Sequence, residues 1–250
     1  MTMISIDPFW ICVTRIRMIK TKSDIGIATG FFYMHDGKKF LMTNRHVVRD
    51  EIKNIYPDSL SIRVHSNSTN LAQNDDLFIP LYNNEGNNLW LEHPRLARNV
   101  DIVALKINDV LKPSHLVTMI NSQNFFPSDL VLGTGEDTMV LGFPMGFHDD
   151  IFNLPVLRSG TIATPYPAPF RGNPFFLIDA RLHEGISGSP VFTKPRNMFR
   201  DTRGNTRIVT GNPFYFLGVV SAAFPPNFEP NPLGLNVVWF ANLVQEIVNQ

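Results

Sequence analysis

Cysteine is almost absent from this 250-residue chain: Cys12 stands alone, so no internal disulfide can form. A chain of this size in an oxidising compartment usually carries several, and the scarcity points to a reducing, cytoplasmic setting. An excess of one charge is absent too, with 22 Lys and Arg against 22 Asp and Glu. No global field therefore steers the protein toward nucleic acid or an anionic membrane. No apolar run approaches the roughly 20 residues of a membrane-spanning helix. The opening stretch, MTMISIDPFWICVTRIRMIKTK, is interrupted by Asp7, Pro8, Arg15, Arg17 and Lys20, so no secretory leader is expected. The histidines show neither Cys/His nor HExxH spacing, and no metal or cofactor site is expected.

What is present reads as a folded globular chain, 44% hydrophobic and 18% charged. Many short apolar or alternating runs, among them WICVTRIRM, GFFYM, FLMTN, LSIRVH, DIVALKI, TMVLGF, FFLIDA, FLGVVSA and LNVVWF, stand between turn signals supplied by 16 Gly and 19 Pro. Such spacing predicts an all-β barrel or sandwich. One helix is expected, in the terminal ANLVQEIVNQ, where Leu243, Val244, Ile247 and Val248 share a face. The less patterned stretch after DIVALKI carries the chain from one half to the other, giving expected units at residues 1–112 and 113–250. No internal repeat is visible. The 20 phenylalanines suit two packed cores.

The segment HEGISGSP, residues 183–190, admits two readings. Ser, Gly and Pro clusters mark turns; a serine in such a turn can also be a nucleophile. A hydroxyl is a poor nucleophile at neutral pH and needs a base within hydrogen-bond reach, for which imidazole, with an unperturbed pKa of about 6.5, is suited. His46, in FLMTNRHVV, follows an apolar strand, and Asp101, in NVDIVALKI, stands at the mouth of another. The order His46, Asp101, Ser187 is one in which a base, an orienting carboxylate and a nucleophile are known to converge on folding.

These words together resemble the trypsin/chymotrypsin-like serine peptidases, and more closely their HtrA/Deg-type relatives. ATGFFY is similar to the glycine-rich strand before the histidine. VLGFPMGF with VLRSGTIAT is similar to the entry of a second barrel, IDARLHEGISGSP to the approach to the nucleophile, and FLGVVSAAF to the strand lining the substrate cleft. GLNVVWFANLVQEIVNQ is similar to the closing strand and helix, so the likeness runs in order over residues 10–249. It implies two six-stranded antiparallel β-barrels with a C-terminal helix, the first carrying His46 and Asp101, the second Ser187. It further implies an endopeptidase working through an acyl-enzyme on protein or peptide substrates. The oxyanion would be held by the amides of Gly185 and Ser187, with Ser221, Ala222 and Ala223 along the cleft.

The sequence departs from that pattern at Ile186, which cannot pair with a newly cut N-terminus as the aspartate of digestive relatives does, and at Ser189, which replaces a glycine. Arg181 lies six residues before Ser187, where trypsin-like relatives place the base of the primary specificity pocket; it suggests an acidic preference, or points to solvent. The basic stretch TKPRNMFRDTRGNTR, with Lys194, Arg196, Arg200, Arg203 and Arg207, reads as a solvated hairpin and not as a nucleic-acid site. The peptide-binding domain that HtrA-type relatives append is not expected here. Regulation would then come from an activating partner protein, oligomer contacts, or the loops at 66–94 and 193–213. The competing expectation is a catalytically silent fold used as a binding or scaffold module.

Overall fold

The computed structural model describes residues 6–211, 213–224 and 233–250. The N-terminal half contributes seven strands: β1 (Val13–Lys20), β2 (Ser23–His35), β3 (Lys38–Thr43), β4 (Ser59–His65), β5 (Asn74–Pro80), β6 (Trp90–Leu91) and β7 (Val103–Lys106). They form one antiparallel sheet in the order β5-β4-β1-β2-β3-β7-β6. Its two edges approach each other through the loop that joins them, where the Leu89 N–H donates to the Leu81 carbonyl at 2.9 Å. The first half thus carries a seventh, two-residue strand beyond the expected six, and its edges meet through this loop.

The C-terminal half contains β8 (Leu130–Val131), β9 (Asp137–Gly142), β10 (Val156–Ile162), β11 (Phe175–Asp179), β12 (Pro190–Thr193), β13 (Met198–Asp201), β14 (Thr206–Ile208), β15 (Phe216–Phe224) and β16 (Leu235–Phe240). Six of these close into a barrel, β10-β11-β16-β15-β12-β9. The basic stretch folds into the β13–β14 hairpin, which recruits β8 to make a separate three-stranded sheet. The terminal helix, α2 (Ala241–Val248), buries Leu243, Val244, Ile247 and Val248, the face its sequence marks. No described helix is long and apolar enough to cross a membrane.

Strand periodicity explains the cores. On β2, Phe32 points into the N-terminal sheet's own core with Ile16, Leu41 and Leu60, while Phe31 and Tyr33 face the other way. That second face meets Leu141, Phe192 and Phe216 of the barrel and the apolar face of α2. A run of consecutive aromatics is therefore buried on both sides, which is why GFFYM lacks polar alternation. Phe31 meets Phe216 at 5.4 Å and Phe9 meets Phe192 at 5.0 Å between ring centroids, so phenylalanines of the two halves pack against each other. Fully burying each such side chain contributes roughly 1.5–3 kcal/mol. The groups described next lie along this seam.

Candidate active site

His46 reaches its position through strand pairing. Thr43 of β3 is opposite Val103 of β7, so in this antiparallel register the residues just after Thr43 lie beside those just before Val103. The chain then turns into the one-turn helix α1 (Arg45–Val48). Asp101 completes the turn: its Oδ1 accepts from the His46 backbone N–H at 3.0 Å, and its Oδ2 lies 2.7 Å from His46 Nδ1. Asn44 Nδ2 donates to the Asp101 carbonyl at 2.7 Å, holding the aspartate's own backbone. Arg45 fixes the helix from outside, pairing with Glu51 at 2.7 Å and Glu92 at 3.1 Å.

The electrostatics follow from this contact. Burial opposes charge on the His46 ring, but the charge and hydrogen bond of Asp101, with a smaller contribution from Asp50, raise its pKa above the usual imidazole value. Burial likewise pushes the Asp101 carboxyl up. The His46 charge and hydrogen bonds from the His46 ring, Ser221 and the His46 backbone outweigh it, leaving Asp101 below the usual carboxylate range. A proton on Nδ1, bound to Asp101, leaves His46 Nε2 as the acceptor.

Ser187 stands on the loop between β11 and β12, and this loop is organised by Thr29 of β2. The Thr29 hydroxyl donates to the Gly185 carbonyl at 2.8 Å and accepts from the Phe143 N–H at 3.0 Å. Its N–H donates to the Ser187 carbonyl at 2.9 Å, and its own carbonyl accepts from the Thr43 hydroxyl at 2.9 Å. Gly185 has φ 85° and Gly188 φ 86°, the left-handed region that side chains disfavour. A Cβ on Gly185 would lie 2.6 Å from the Phe143 carbonyl oxygen, and one on Gly188 would lie 2.2 Å from that of Thr29. The Glu184 carbonyl, in the same peptide as the Gly185 N–H, accepts from the Met145 N–H at 2.5 Å, and neither the Gly185 nor the Ser187 N–H donates to another described group. Ile186 is buried in the barrel core with Val140 and Val220, which accounts for an apolar residue there. Ser189 is also fully buried.

Ser221, on β15, connects the two halves of the arrangement. Its Oγ donates to Asp101 Oδ2 at 2.6 Å, and its carbonyl accepts from Ser187 Oγ at 3.0 Å. Among the described residues the Ser187 hydroxyl makes this bond and none to His46. Ser221 stands on the strand expected to line the cleft, and its side chain in addition grips Asp101. Ala222 and Ala223 belong to β15 by backbone, and their side chains lie outside the described residues. Arg181 is exposed, and its carbonyl accepts two bonds from the Arg158 guanidinium, at 2.8 and 3.2 Å. An exposed side chain fits the solvent-facing alternative for Arg181 better than a pocket base. Thr29, Asn44 and the Ser221 hydroxyl carried no sequence signal of their own, since their partners lie 57–156 residues away. Among the described residues no three His, Cys, Asp or Glu side chains gather in a way that could hold a metal ion.

The family model for the trypsin-like peptidase domain matches residues 28–198. No curated protein matches the chain significantly. Among solved structures, the HtrA-type protease AlgW with a tripeptide is similar over 96% of this chain and 60% of its own, at TM-score 0.57 and 16% identity. A serine endoprotease from Yersinia pestis is similar over 96% of this chain and 62% of its own, at TM-score 0.53 and 15% identity. The Rv3671c protease of M. tuberculosis in its inactive form is similar over 96% of this chain and 88% of its own, at TM-score 0.51 and 18% identity. At these identities the likeness is one of fold, and the chain spans about three fifths of the first two neighbours.

Proposed function

Because the chain belongs to the trypsin-like peptidase family, we propose that it is a serine endopeptidase with Ser187 as nucleophile, His46 as general base and acid, and Asp101 as the group that orients His46. One observation carries the reading: Asp101 holds both the backbone and the ring of His46, and the same carboxylate is linked through Ser221 to the Ser187 hydroxyl.

In the reaction, Ser187 Oγ turns from the Ser221 carbonyl toward His46 Nε2, gives up its proton and bonds to the substrate carbonyl carbon. The carbonyl oxygen becomes an anion facing the Gly185 and Ser187 N–H groups, and each such donor stabilises the transition state by roughly 2.7–4 kcal/mol. The imidazolium is stabilised by Asp101. It passes its proton to the departing amine, the C–N bond breaks, and an acyl-Ser187 ester remains. Water, deprotonated by His46, then releases the acid. Substrate would lie along the outer edge of β15 at Ser221, Ala222 and Ala223 as an added strand.

A second reading is favoured by one contact. The Ser187 hydroxyl is bonded to the Ser221 carbonyl and not to His46, the arrangement of a latent enzyme that substrate or an activating partner converts. A cytoplasmic setting is part of the proposal, supported by the free, buried Cys12, whose thiol burial pushes up.

The test is cleavage of an unfolded protein such as reduced casein, with fragments identified by mass. Wild type is expected to cut, and Ser187→Ala and His46→Ala to lose at least about a thousandfold in rate. Equal fragmentation by wild type and Ser187→Ala rejects the assignment.

A further inference from the structure

Beyond Ser221, β15 continues to Phe224, and there stands a cation that makes no ion pair among the described residues. On its inner side β15 pairs with β16 through Ala223–Asn236 and Phe224–Leu235. On its outer side the β12 ladder reaches only Val219, extended by the Val220 N–H to the Ser189 carbonyl at 2.9 Å. Among the described residues, 221–224 therefore have no strand on the outer edge. An extended chain added antiparallel to that edge would place the residue before the scissile bond opposite Ser221. Upstream residues would then run along β15 at about 3.3 Å per step. The fourth residue before the cut falls opposite Phe224.

Arg171 waits at that position. Its guanidinium carbon lies over both rings, 5.3 Å from the Phe170 centroid and 5.5 Å from that of Phe224, and Phe170 and Phe224 meet edge-on at 5.4 Å. Phe175 and Trp239, 5.3 Å apart, support the cluster from β11 and β16. The turn that presents Arg171 closes with the Asn173 N–H on the Phe170 carbonyl at 3.1 Å and puts both central residues at positive φ, Arg171 at 53° and Gly172 at 77°. An arginine there is strained where asparagine or glycine would sit freely, and such outliers cluster at binding sites. Among the described residues Arg171 makes no ion pair, and its exposed side chain is held near two aromatic rings. A guanidinium with no ion-pair partner has N–H donors to offer, and its fork matches a carboxylate.

We propose that Arg171, held between Phe170 and Phe224, is a binding site for an acidic side chain four residues upstream of the cleaved bond, so that the preferred substrates are segments with Asp or Glu at that place. The proposal rests on the peptidase reading above.

Four-residue peptide phosphonates, Xaa-Ala-Ala-Ala with phosphorus in place of the scissile carbonyl carbon, fix the register because phosphorus bonds to Ser187. Their rates of adduct formation are followed by intact mass, beside a simple alkyl fluorophosphonate that reports Ser187 reactivity alone. With Xaa as Glu the rate should exceed that for Gln or Lys about fivefold, as for a partly exposed ion pair. The preference should vanish in Arg171→Ala, fall in Arg171→Lys, which keeps the charge but loses the fork, and turn toward Lys in Arg171→Glu. Equal rates for Glu, Gln and Lys on an enzyme that the alkyl probe labels, or a Glu preference that survives Arg171→Ala, overturn the proposal and leave the peptidase reading standing. Silence of the alkyl probe rejects the constitutively active peptidase, and the substrate proposal with it.

Discussion

The Thr29 hydroxyl and the Gly185 carbonyl, 156 residues apart in the chain, are joined by a 2.8 Å hydrogen bond that sets the direction in which the Gly185 peptide faces. That carbonyl belongs to the Gly185–Ile186 peptide, which joins the two residues whose N–H groups would face the oxyanion, so holding it positions both. Thr29→Val removes the hydroxyl while keeping the β-branched shape, leaving the Gly185 carbonyl and the Phe143 N–H unpaired. The expected result is a kcat lower by about a hundredfold with KM nearly unchanged, and a stability loss of about 1–3 kcal/mol. Thr29→Ser should recover most of both. Steady-state kinetics with denaturant unfolding decides it; a purely structural role would lower stability without moving kcat.

Ser221→Ala leaves the backbone carbonyl in place and deletes only the donor to Asp101. The carboxylate becomes more basic, so His46 should titrate at higher pH. The expected result is an ascending limb of the kcat/KM profile displaced upward and a rate reduced about tenfold at neutral pH, set against wild type across pH 5–9.

The pH dependence of wild type follows from the two shifts. Catalysis needs neutral His46, and its pKa is raised, so activity should rise with pH through a midpoint above the ordinary value of about 6.5. For stability the sign is opposite. A raised imidazole pKa contributes stability that is fully present below that ordinary value and is lost as pH rises through the folded value. The lowered pKa of Asp101 contributes stability above its ordinary value of about 3.9, lost as pH falls through the folded value. Asp101→Asn should remove both contributions and reduce kcat by about 10³–10⁴. Urea unfolding of wild type and Asp101→Asn across pH 3–9 reads the first, and steady-state rates read the second.

Gly185→Ala places a Cβ 2.6 Å from the Phe143 carbonyl oxygen on a residue at φ 85°. The peptide must move, and with it one oxyanion donor. Activity should fall by about 10²–10³, with about 1–3 kcal/mol of stability lost. A Gly185→Ala enzyme with wild-type kcat would show that this amide faces no developing charge.

The parts of this arrangement that were legible in the sequence are those whose neighbours along the chain are themselves informative. His46 follows the apolar FLMTN, Asp101 opens DIVALKI, and Ser187 is framed by Gly185 and Gly188, whose positive φ values only glycine adopts easily. The terminal helix was legible because its apolar face repeats at helical spacing. Thr29, Asn44 and Ser221 were not, because a hydroxyl or an amide in a strand looks the same whether it faces water or a partner far along the chain. Strand β6, at two residues, is too short to carry a pattern, and its edge position could not be inferred. Arg171 and Arg181 show the same limit for charge: sequence offset singles out Arg181, while contact with two aromatic rings singles out Arg171.

The most direct measurement of the central claim is the intact mass of the purified protein after exposure to an alkyl fluorophosphonate, beside Ser187→Ala and His46→Ala. A single adduct is expected on wild type, mapped to Ser187, absent from Ser187→Ala and strongly slowed in His46→Ala. No adduct on folded wild type, or one that persists in Ser187→Ala, contradicts that claim.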